Sequence, residues 1–167
     1  TGLKDLEYRG YDSWGIASLT EDGIDVVKKV GKIGMETNFE INDSKVSIGH
    51  TRWSTHGEPS QKNAHPHLSC DKEIAVVHNG IIENHEEIKS KLKGHNFKSE
   101  TDTEVIAHLI EEYLKNNNYR DSVLMATKDL EGSFALMVVN SKEKEIIAVR
   151  KGSPLVLGIK NGEFFLA

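Results

Sequence analysis

Short apolar runs separated by turn residues fill the first part of the chain and predict β-strands. They occur at residues 15–19, 24–30, 45–50 and 73–78. Asp22-Gly23 lies between the first two runs and is typical of a hairpin turn. The polar stretch 51–72 contains glycine and prolines and has no helical period, so it predicts a long loop of the kind that usually carries function. After the fourth run, His78-Asn79-Gly80 predicts that the strand ends in a turn.

The middle of the chain carries the periodicity and the end signals of helices. The stretches concerned are residues 84–93, 103–114 and 121–130. In the second stretch, apolar residues recur at spacings of three and four. Thr101 and Glu104 predict a capping box at its start, and Asp102 is an alternative cap. Near the N-terminus, Leu3 and Leu6 predict the last turn of a further helix.

The last third of the chain alternates apolar runs and turns, which predicts an antiparallel meander. The runs are residues 134–139, 145–150, 155–159 and 163–166. Strands, then helices, then strands indicate the α+β class, with helices stacked on antiparallel sheets. A chain of 167 residues without internal repeats or linker-like segments fits one domain.

Composition and charge exclude several classes of function. Lys and Arg number 21 against 26 Asp and Glu, and the net charge of -5 leaves no basic excess for nucleic acid. The longest apolar run, residues 134–139, is far shorter than the roughly 20 residues of a membrane-spanning helix. Cys70 is the single cysteine and no signal peptide is visible, so we expect a cytoplasmic protein. The chain begins without Met and stops within an apolar run, which predicts a piece of a larger protein.

Histidines are concentrated in one span of the chain. They are His50, His56, His65, His67 and His78. Because neutral imidazoles bind zinc, a metal site through His65 and His67 is one hypothesis. The spacing matches no established metal motif, so the sequence favours no metal here.

Three further features could bind a small molecule, although each has a simpler interpretation. The guanidinium of Arg52, beside Trp53, could hold a carboxylate or phosphate, or could be an ordinary surface side chain. Asn79 with the Gly80 N–H could stabilise an oxyanion, or could form a common turn. Asp102 could bind an ammonium group, or could cap a helix.

Six stretches occur in one order along the chain and together resemble a known family. They are residues 7–13, 50–59, 63–67, 78–84, 99–104 and 150–155. The chain resembles the glutaminase domain of the glutamine-fructose-6-phosphate aminotransferases (isomerizing), also called glucosamine-6-phosphate synthases, which are class II glutamine amidotransferases. The amidophosphoribosyltransferases of the purine pathway share the general fold. They look different at residues 8–11 and around Arg52-Trp53.

The resemblance implies a fold, an activity and partners. The fold is a four-layer αββα N-terminal-nucleophile (Ntn) hydrolase sandwich of antiparallel sheets, here truncated at its N-terminus. Residues 1–167 are then one glutaminase domain, incomplete at both ends, without the isomerase domains. Such a domain hydrolyses glutamine without a cofactor. It supplies ammonia to a C-terminal sugar isomerase domain of the same full-length protein, a homodimer when complete. That domain converts fructose 6-phosphate to glucosamine 6-phosphate for amino-sugar (UDP-GlcNAc) synthesis.

The resemblance also implies roles for individual residues. Arg52 would bind the α-carboxylate of glutamine and Asp102 its α-ammonium group. Asn79 and the Gly80 N–H would form the oxyanion hole. A loop that closes over the substrate would contain Trp53, Thr55 and His56. No metal is implied.

One departure concerns the nucleophile. The family uses an N-terminal cysteine whose own amino group acts as the base, and that residue is not in this chain. Cys70 has no free amino group and is interpreted as a loop thiol, so we expect the fragment itself to be inactive. Smaller departures are Trp14 and Ser54, where the family commonly has smaller residues. The alternatives are the glutaminase domain of another class II amidotransferase and a non-catalytic module that binds glutamine or a metal.

Overall fold

The computed structural model describes residues 2–34, 44–54 and 57–167. Four α-helices and one 3₁₀ helix alternate with nine strands in that part of the chain. The helices are α1 (Gly2–Asp5), the 3₁₀ helix (Glu7–Arg9), α2 (His85–Lys91), α3 (Glu104–Leu114) and α4 (Tyr119–Asp129). The strands are β1 (Ser13–Leu19), β2 (Ile24–Val30), β3 (Ser47–Arg52), β4 (His67–Leu68), β5 (Ile74–Ile82), β6 (Gly132–Asn140), β7 (Ile146–Lys151), β8 (Leu157–Lys160) and β9 (Glu163–Leu166).

The strands form three antiparallel sheets. The N-terminal sheet has the order β2-β1-β3, the central sheet has the order β4-β5-β6-β7, and β8 pairs with β9 alone. The predicted hairpin of β1 and β2 and the predicted α+β class are confirmed. The predicted helix near the N-terminus is present as α1 followed by the 3₁₀ helix, and both contact β3. No helix among the described residues is both long and apolar enough to cross a membrane.

The central sheet separates two apolar cores. Because successive residues of a strand face opposite sides, β5 contributes to both cores. Ile74 and Val76 pack with α2, α3 and α4, whereas Ala75 and Val77 pack against the N-terminal sheet. The order of layers is therefore helices, central sheet and N-terminal sheet. This arrangement places the end of β3 beside the middle of β5.

The start of α3 differs from the prediction. The capping box of Thr101 and Glu104 is wrong: the Glu104 carboxylate accepts hydrogen bonds from the N–H groups of Lys98 and Ser99 instead. The N-cap of α3 is Thr103, and it has no side-chain capping bond. Glu104 therefore fixes the segment that leads into the helix. The next helix begins at Tyr119, two residues before the prediction, because Asn118 accepts a hydrogen bond from the Asp121 N–H.

The predicted turn at residues 78–80 is also wrong, because β5 continues through them to Ile82. Asn79 pairs with Ala135 and Gly80 with Phe134 in the register with β6. Because β6 is long, its hydrogen bonds with β5 continue past the local turn signal. Pairing between distant strands therefore overrides the local preference for a turn here. The chain therefore presents Asn79 and Gly80 from a strand and not from a loop.

Candidate functional site

A cavity of about 470 Å³ lies where β3, β5 and the segment before α3 meet. Five of the predicted site residues line it: Arg52, Trp53, Asn79, Gly80 and Asp102. Its volume is in the usual range for small-molecule sites. The other two predicted residues, Thr55 and His56, lie outside the described residues.

Arg52 is the last residue of β3 and is only 4% exposed. Its guanidinium donates hydrogen bonds to the Ser54 hydroxyl at 2.9 Å and to the Gly57 carbonyl at 3.2 Å. Burial lowers the pKa of Arg52 from its ordinary value, and the carboxylates of Asp12 and Asp102 oppose that shift. An arginine keeps its proton in such surroundings, so the cavity wall carries a fixed positive charge.

Two residues without a predicted role, Asp12 and Ser54, hold Arg52 in place. One Asp12 oxygen accepts hydrogen bonds from the Ser54 N–H and, at 2.7 Å, from the Ser54 hydroxyl. The other Asp12 oxygen lies 4.0 Å from the guanidinium. Ser54 therefore connects a carboxylate to the arginine through its hydroxyl. Two features of the sequence could have pointed to these residues. Asp12 belongs to one of the six stretches that resemble the family, and Ser54 departs from the family pattern.

Asp102 lies in the turn before α3 and is 5% exposed. Its carboxylate accepts a hydrogen bond from the Ile82 N–H at 2.8 Å and one from the Thr103 hydroxyl at 3.4 Å. The alternative in which Asp102 caps α3 is wrong, because its bonds run to β5 and to its neighbour. A carboxylate has about four acceptor positions, so capacity remains for a cation in the cavity.

Asn79 and Gly80 lie next to each other on β5 and line the same cavity. The Asn79 carbonyl oxygen lies 3.2 Å from Nε2 of His50. Burial lowers the pKa of His50 to about 4, so its neutral ring can donate that hydrogen and leave the Asn79 NH₂ group available. Gly80 has φ +127°, and a Cβ atom there would lie 2.1 Å from the Ser133 carbonyl oxygen. Only glycine fits this close approach of β5 and β6.

Buried histidines connect the cavity to the loop before it. Nε2 of His67 lies 3.0 Å from the Thr101 hydroxyl, and Nδ1 of His78 lies 2.9 Å from the Thr103 hydroxyl. Burial lowers the pKa of both histidines and of His65. Among the described residues, no group of three or more potential metal ligands includes His65 or His67, so the structure does not support the metal hypothesis for them.

The loop before β4 and the segment before α3 also bind each other directly. The buried Asn63 amide donates to the Glu58 carbonyl at 2.9 Å and to the Glu100 carboxylate at 3.2 Å. In return, the Glu100 N–H donates to the Asn63 carbonyl oxygen at 3.0 Å. Two of the recognised stretches, residues 63–67 and 99–104, thus form one network that fixes the position of Asp102.

Trp53 and Cys70 have different relations to the cavity. Trp53 lines it but is 64% exposed, with its ring 5.5 Å from that of Tyr11. Cys70 is exposed and does not line it. Burial, small as it is at this position, raises the pKa of the Cys70 thiol, which disfavours the reactive thiolate.

The cavity combines three kinds of recognition. Arg52 supplies a buried cation and Asp102 a buried anion, which together match the charged ends of an α-amino acid. Asn79 and the backbone of Gly80 supply uncharged polar groups of the kind that stabilise an oxyanion. Groups of these three kinds suit the binding of an amino acid with a carbonyl group in its side chain.

A profile of the family described as "Glutamine amidotransferase domain" matches residues 50–167, and the chain belongs to this family. It is 55% identical to the glutamine-fructose-6-phosphate aminotransferase [isomerizing] of Thermotoga maritima, over 100% of this chain and 28% of that protein. It is 51% identical to the protein of the same name from Pyrococcus horikoshii, over 99% of this chain and 29% of that one. The chain thus spans less than a third of the length of these relatives.

Solved structures of amidotransferases share the fold. The glutamine phosphoribosylpyrophosphate amidotransferase from B. subtilis, complexed with ADP and GMP, superposes with a TM-score of 0.84 at 26% identity. The match covers 99% of this chain and 37% of that chain. A structure described as the allosteric regulatory enzyme of purine biosynthesis gives the same TM-score at 27% identity. These matches confirm the predicted Ntn-hydrolase fold.

Proposed function

We propose that this chain is the glutamine-hydrolysing domain of a glutamine-fructose-6-phosphate aminotransferase (isomerizing). It would release ammonia for the conversion of fructose 6-phosphate to glucosamine 6-phosphate in amino-sugar (UDP-GlcNAc) synthesis. One observation carries the proposal: buried Arg52 and Asp102 line the same cavity as Asn79 and Gly80. The identity of about half the residues with the aminotransferases named above supports this acceptor.

In the proposed complex, the ends of glutamine determine its orientation. Arg52 binds the α-carboxylate through two parallel hydrogen bonds, in place of part of its present bonding to Ser54. Asp102 binds the α-ammonium group through the oxygen positions that Ile82 and Thr103 leave open. The side-chain amide then reaches the polar groups of β5. Because both charged groups are buried, a simple amide without these charges would bind poorly.

The chemical step requires a nucleophile that these 167 residues do not supply. A thiolate attacks the amide carbon, a C–S bond forms, and the carbonyl oxygen becomes an oxyanion near Asn79 and the Gly80 N–H. The C–N bond then breaks as the nitrogen takes a proton and leaves as ammonia. Water hydrolyses the thioester to glutamate. Because Cys70 lies outside the cavity, we propose that residues 1–167 alone bind glutamine and do not hydrolyse it.

The exposed Trp53 supports a proposal about closure. We propose that Trp53, with Thr55 and His56, belongs to a loop that covers bound glutamine. Its large exposed ring lies at the cavity wall and would gain contacts with the substrate. Closure of this kind excludes water from the oxyanion and completes the site.

The remaining parts of the proposal concern the protein as a whole. We propose one glutaminase domain over residues 1–167, incomplete at both ends, followed in the full-length protein by a sugar isomerase domain. The complete protein would be a cytoplasmic homodimer without a cofactor. A glutaminase domain with another acceptor is the alternative, and the fold shared with phosphoribosylpyrophosphate amidotransferase supports it. The lower identity of 26% favours the sugar acceptor over it.

Glutamate release tests the proposal. The full-length gene product, with and without fructose 6-phosphate, is compared with residues 1–167. We expect the full-length protein to release glutamate and to form glucosamine 6-phosphate when the sugar is present, and residues 1–167 to release none. Glutamate release without glucosamine 6-phosphate would point to another acceptor. No glutamate release from the full-length protein under either condition would overturn the glutaminase assignment and leave a non-catalytic binding module.

A further inference from the structure

A second cluster of reactive side chains lies outside the cavity and has no role in the proposed glutamine chemistry. We call it the thiol cluster, and its members are Cys70, His95, His108 and Glu111. Cys70 lies in the turn between β4 and β5, and His95 lies after α2. His108 and Glu111 are three residues apart on α3 and therefore share one face of that helix. Three separate parts of the chain thus meet at one point.

The potential ligand atoms of the thiol cluster lie at the spacing of a tetrahedral metal site. Sγ of Cys70 is 3.7 Å from Nδ1 of His95 and 3.6 Å from Nδ1 of His108. Oε2 of Glu111 is 2.9 Å and 3.2 Å from the same two nitrogens. All four ligand atoms lie within 4.8 Å of one another. Tetrahedral zinc with ordinary bond lengths places its ligand atoms roughly 3.3–3.6 Å apart. Small movements of these side chains would therefore bring the four atoms to the distances that a bound zinc ion requires.

The groups behind the two histidines resemble those of a zinc site, most closely at His95. Each histidine turns Nδ1 toward the centre and Nε2 toward a carboxylate. Nε2 of His95 lies within hydrogen-bond distance of Glu112, at 3.0 Å, whereas Nε2 of His108 faces Glu104 at 3.7 Å without a hydrogen bond. Zinc-bound histidines usually have a carboxylate or carbonyl at the second nitrogen, which fixes the ring and strengthens its basicity.

The backbone restrains the other two ligands. The Asn96 N–H donates to Sγ of Cys70 at 3.4 Å. The Glu111 carboxylate accepts from the N–H groups of Cys70 and Asp71, each at 3.1 Å. His108 is 1% exposed, whereas Cys70 is exposed and leaves a path by which an ion can enter. The site is thus largely preformed, with one open side.

We propose that Cys70, His95, His108 and Glu111 bind one zinc ion in a structural site. A thiolate, two imidazoles and a carboxylate at tetrahedral spacing suit zinc among the common divalent ions, and four protein ligands leave no position for a reacting water. The Cys70 thiol loses its proton when the ion binds. The ion would connect α3, the β4–β5 turn and the segment after α2. Because α3 begins two residues after Asp102, the site would stabilise the segment that carries the proposed ammonium ligand.

Metal content tests the proposal on the full-length protein. Wild type, Cys70→Ser and His95→Gln are purified in parallel with His85→Gln, a histidine variant outside the cluster. We expect elemental analysis to find about one zinc ion more per polypeptide in wild type and His85→Gln than in the two cluster variants. Circular dichroism checks that all four proteins are folded. Equal zinc in all four would place any bound zinc elsewhere and overturn the proposal.

Cobalt substitution and thermal unfolding give two further measurements. The wild-type protein loaded with Co²⁺ should show a sulfur-to-cobalt charge-transfer band and the strong visible bands of tetrahedral cobalt, and Cys70→Ser should lack the sulfur band. A chelator should lower the Tm of the wild type and leave that of Cys70→Ser unchanged. A wild-type protein without zinc and without the cobalt bands would overturn the proposal. The thiol cluster would then be a hydrogen-bonded cluster that binds no metal. Because these readouts do not depend on glutamine, their failure is separate from failure of the glutaminase assignment.

Discussion

Two groups of histidines in this chain have opposite surroundings. The cavity group contains His50, His65 and His78, which line the cavity, and His67, whose ring packs against His65. Its rings pack against one another, with centroids 4.3 Å apart at a tilt of 37° for His50 and His65. The named hydrogen bonds of this group run to hydroxyl and amide groups. The second group, His95 and His108, lies among the carboxylates of Glu104, Glu111 and Glu112, beside the Cys70 thiol.

The comparison shows that the side chains around a buried histidine determine what its ring can do. In the cavity group, burial lowers the pKa and keeps the rings neutral, so they serve as hydrogen-bonding supports for Asn79 and for the segment before α3. In the second group, a thiol and a carboxylate converge on the ring nitrogens, which is the arrangement of a metal site. Four predictions would sharpen or break this comparison.

The largest expected effect is that of Asn79→Ala on catalysis. Removing one oxyanion donor typically lowers kcat by about 10²- to 10³-fold, and we expect that loss with little change in KM for glutamine. Steady-state glutaminase kinetics of the full-length protein measure it. Asn117→Ala, in the turn between α3 and α4, is the control and should retain wild-type kcat. Zinc content should be the same in both variants. A kcat within threefold of wild type for Asn79→Ala would remove Asn79 from the oxyanion hole.

The second effect is a loss of stability as the pH falls from 7 to 6. A histidine whose pKa is lowered in the folded state takes up a proton more readily when the protein is unfolded. The free energy of unfolding therefore begins to decrease as the pH falls through about 6.5. It continues to decrease until the pH reaches the folded pKa, which is about 4 for His50. Each histidine that stays neutral in the folded state should cost about 0.7 kcal/mol over this unit, or about 3 kcal/mol for the four rings of the cavity group.

Hydrogen exchange of the β5 amides, corrected for the intrinsic effect of pH and measured with a chelator present, reports this stability. His65→Gln should reduce the pH dependence by about a quarter, since it removes one of the four titrating rings. His85→Gln is the matched control and should preserve the wild-type slope. Protection that does not change between pH 7 and pH 6 would show that the cavity histidines are not held neutral.

A third effect concerns the affinity for glutamine. Arg52→Ala and Asp102→Ala each remove a charge-assisted hydrogen bond, and we expect each to raise KM by about 10- to 100-fold. Arg120→Ala removes an exposed arginine that pairs with Glu145 and should leave KM unchanged. Unchanged KM in both cavity variants would contradict the proposed contacts with the ends of glutamine.

The smallest expected effect belongs to His50 as a positioning residue. His50→Leu removes the ring that bonds the Asn79 carbonyl oxygen, and we expect kcat to fall about tenfold, since a freed amide spends less time in the productive orientation. His50→Gln retains an N–H donor and should recover part of that loss. Equal kcat for the two variants would show that packing, and not the hydrogen bond, accounts for the effect of His50.

Local patterns predicted the elements of the fold well. The hairpin of β1 and β2 has the predicted bounds within two residues, since Asp22-Gly23 and the apolar runs agree. Two predictions failed. Pairing with β6 carries β5 through Asn79-Gly80, and the Glu104 carboxylate bonds the N–H groups of Lys98 and Ser99 and forms no capping box. The pairing with β6 is long-range, and a local window contains no information on it. The Glu104 bonds are short-range, but the conformation of the loop before α3, and not the capping-box spacing, decided them.

The sequence by itself determined the family, the α+β class and five of the residues that line the cavity, because these depend on residue types in a fixed order. Only the tertiary structure decided which residues meet. The histidines that are dense in sequence support the cavity and gain no third metal ligand among the described residues. Cys70, His95, His108 and Glu111, which no sequence motif connects, converge within 4.8 Å. Chain folding brings the β4–β5 turn onto α3, and that proximity cannot be read from spacing along the chain.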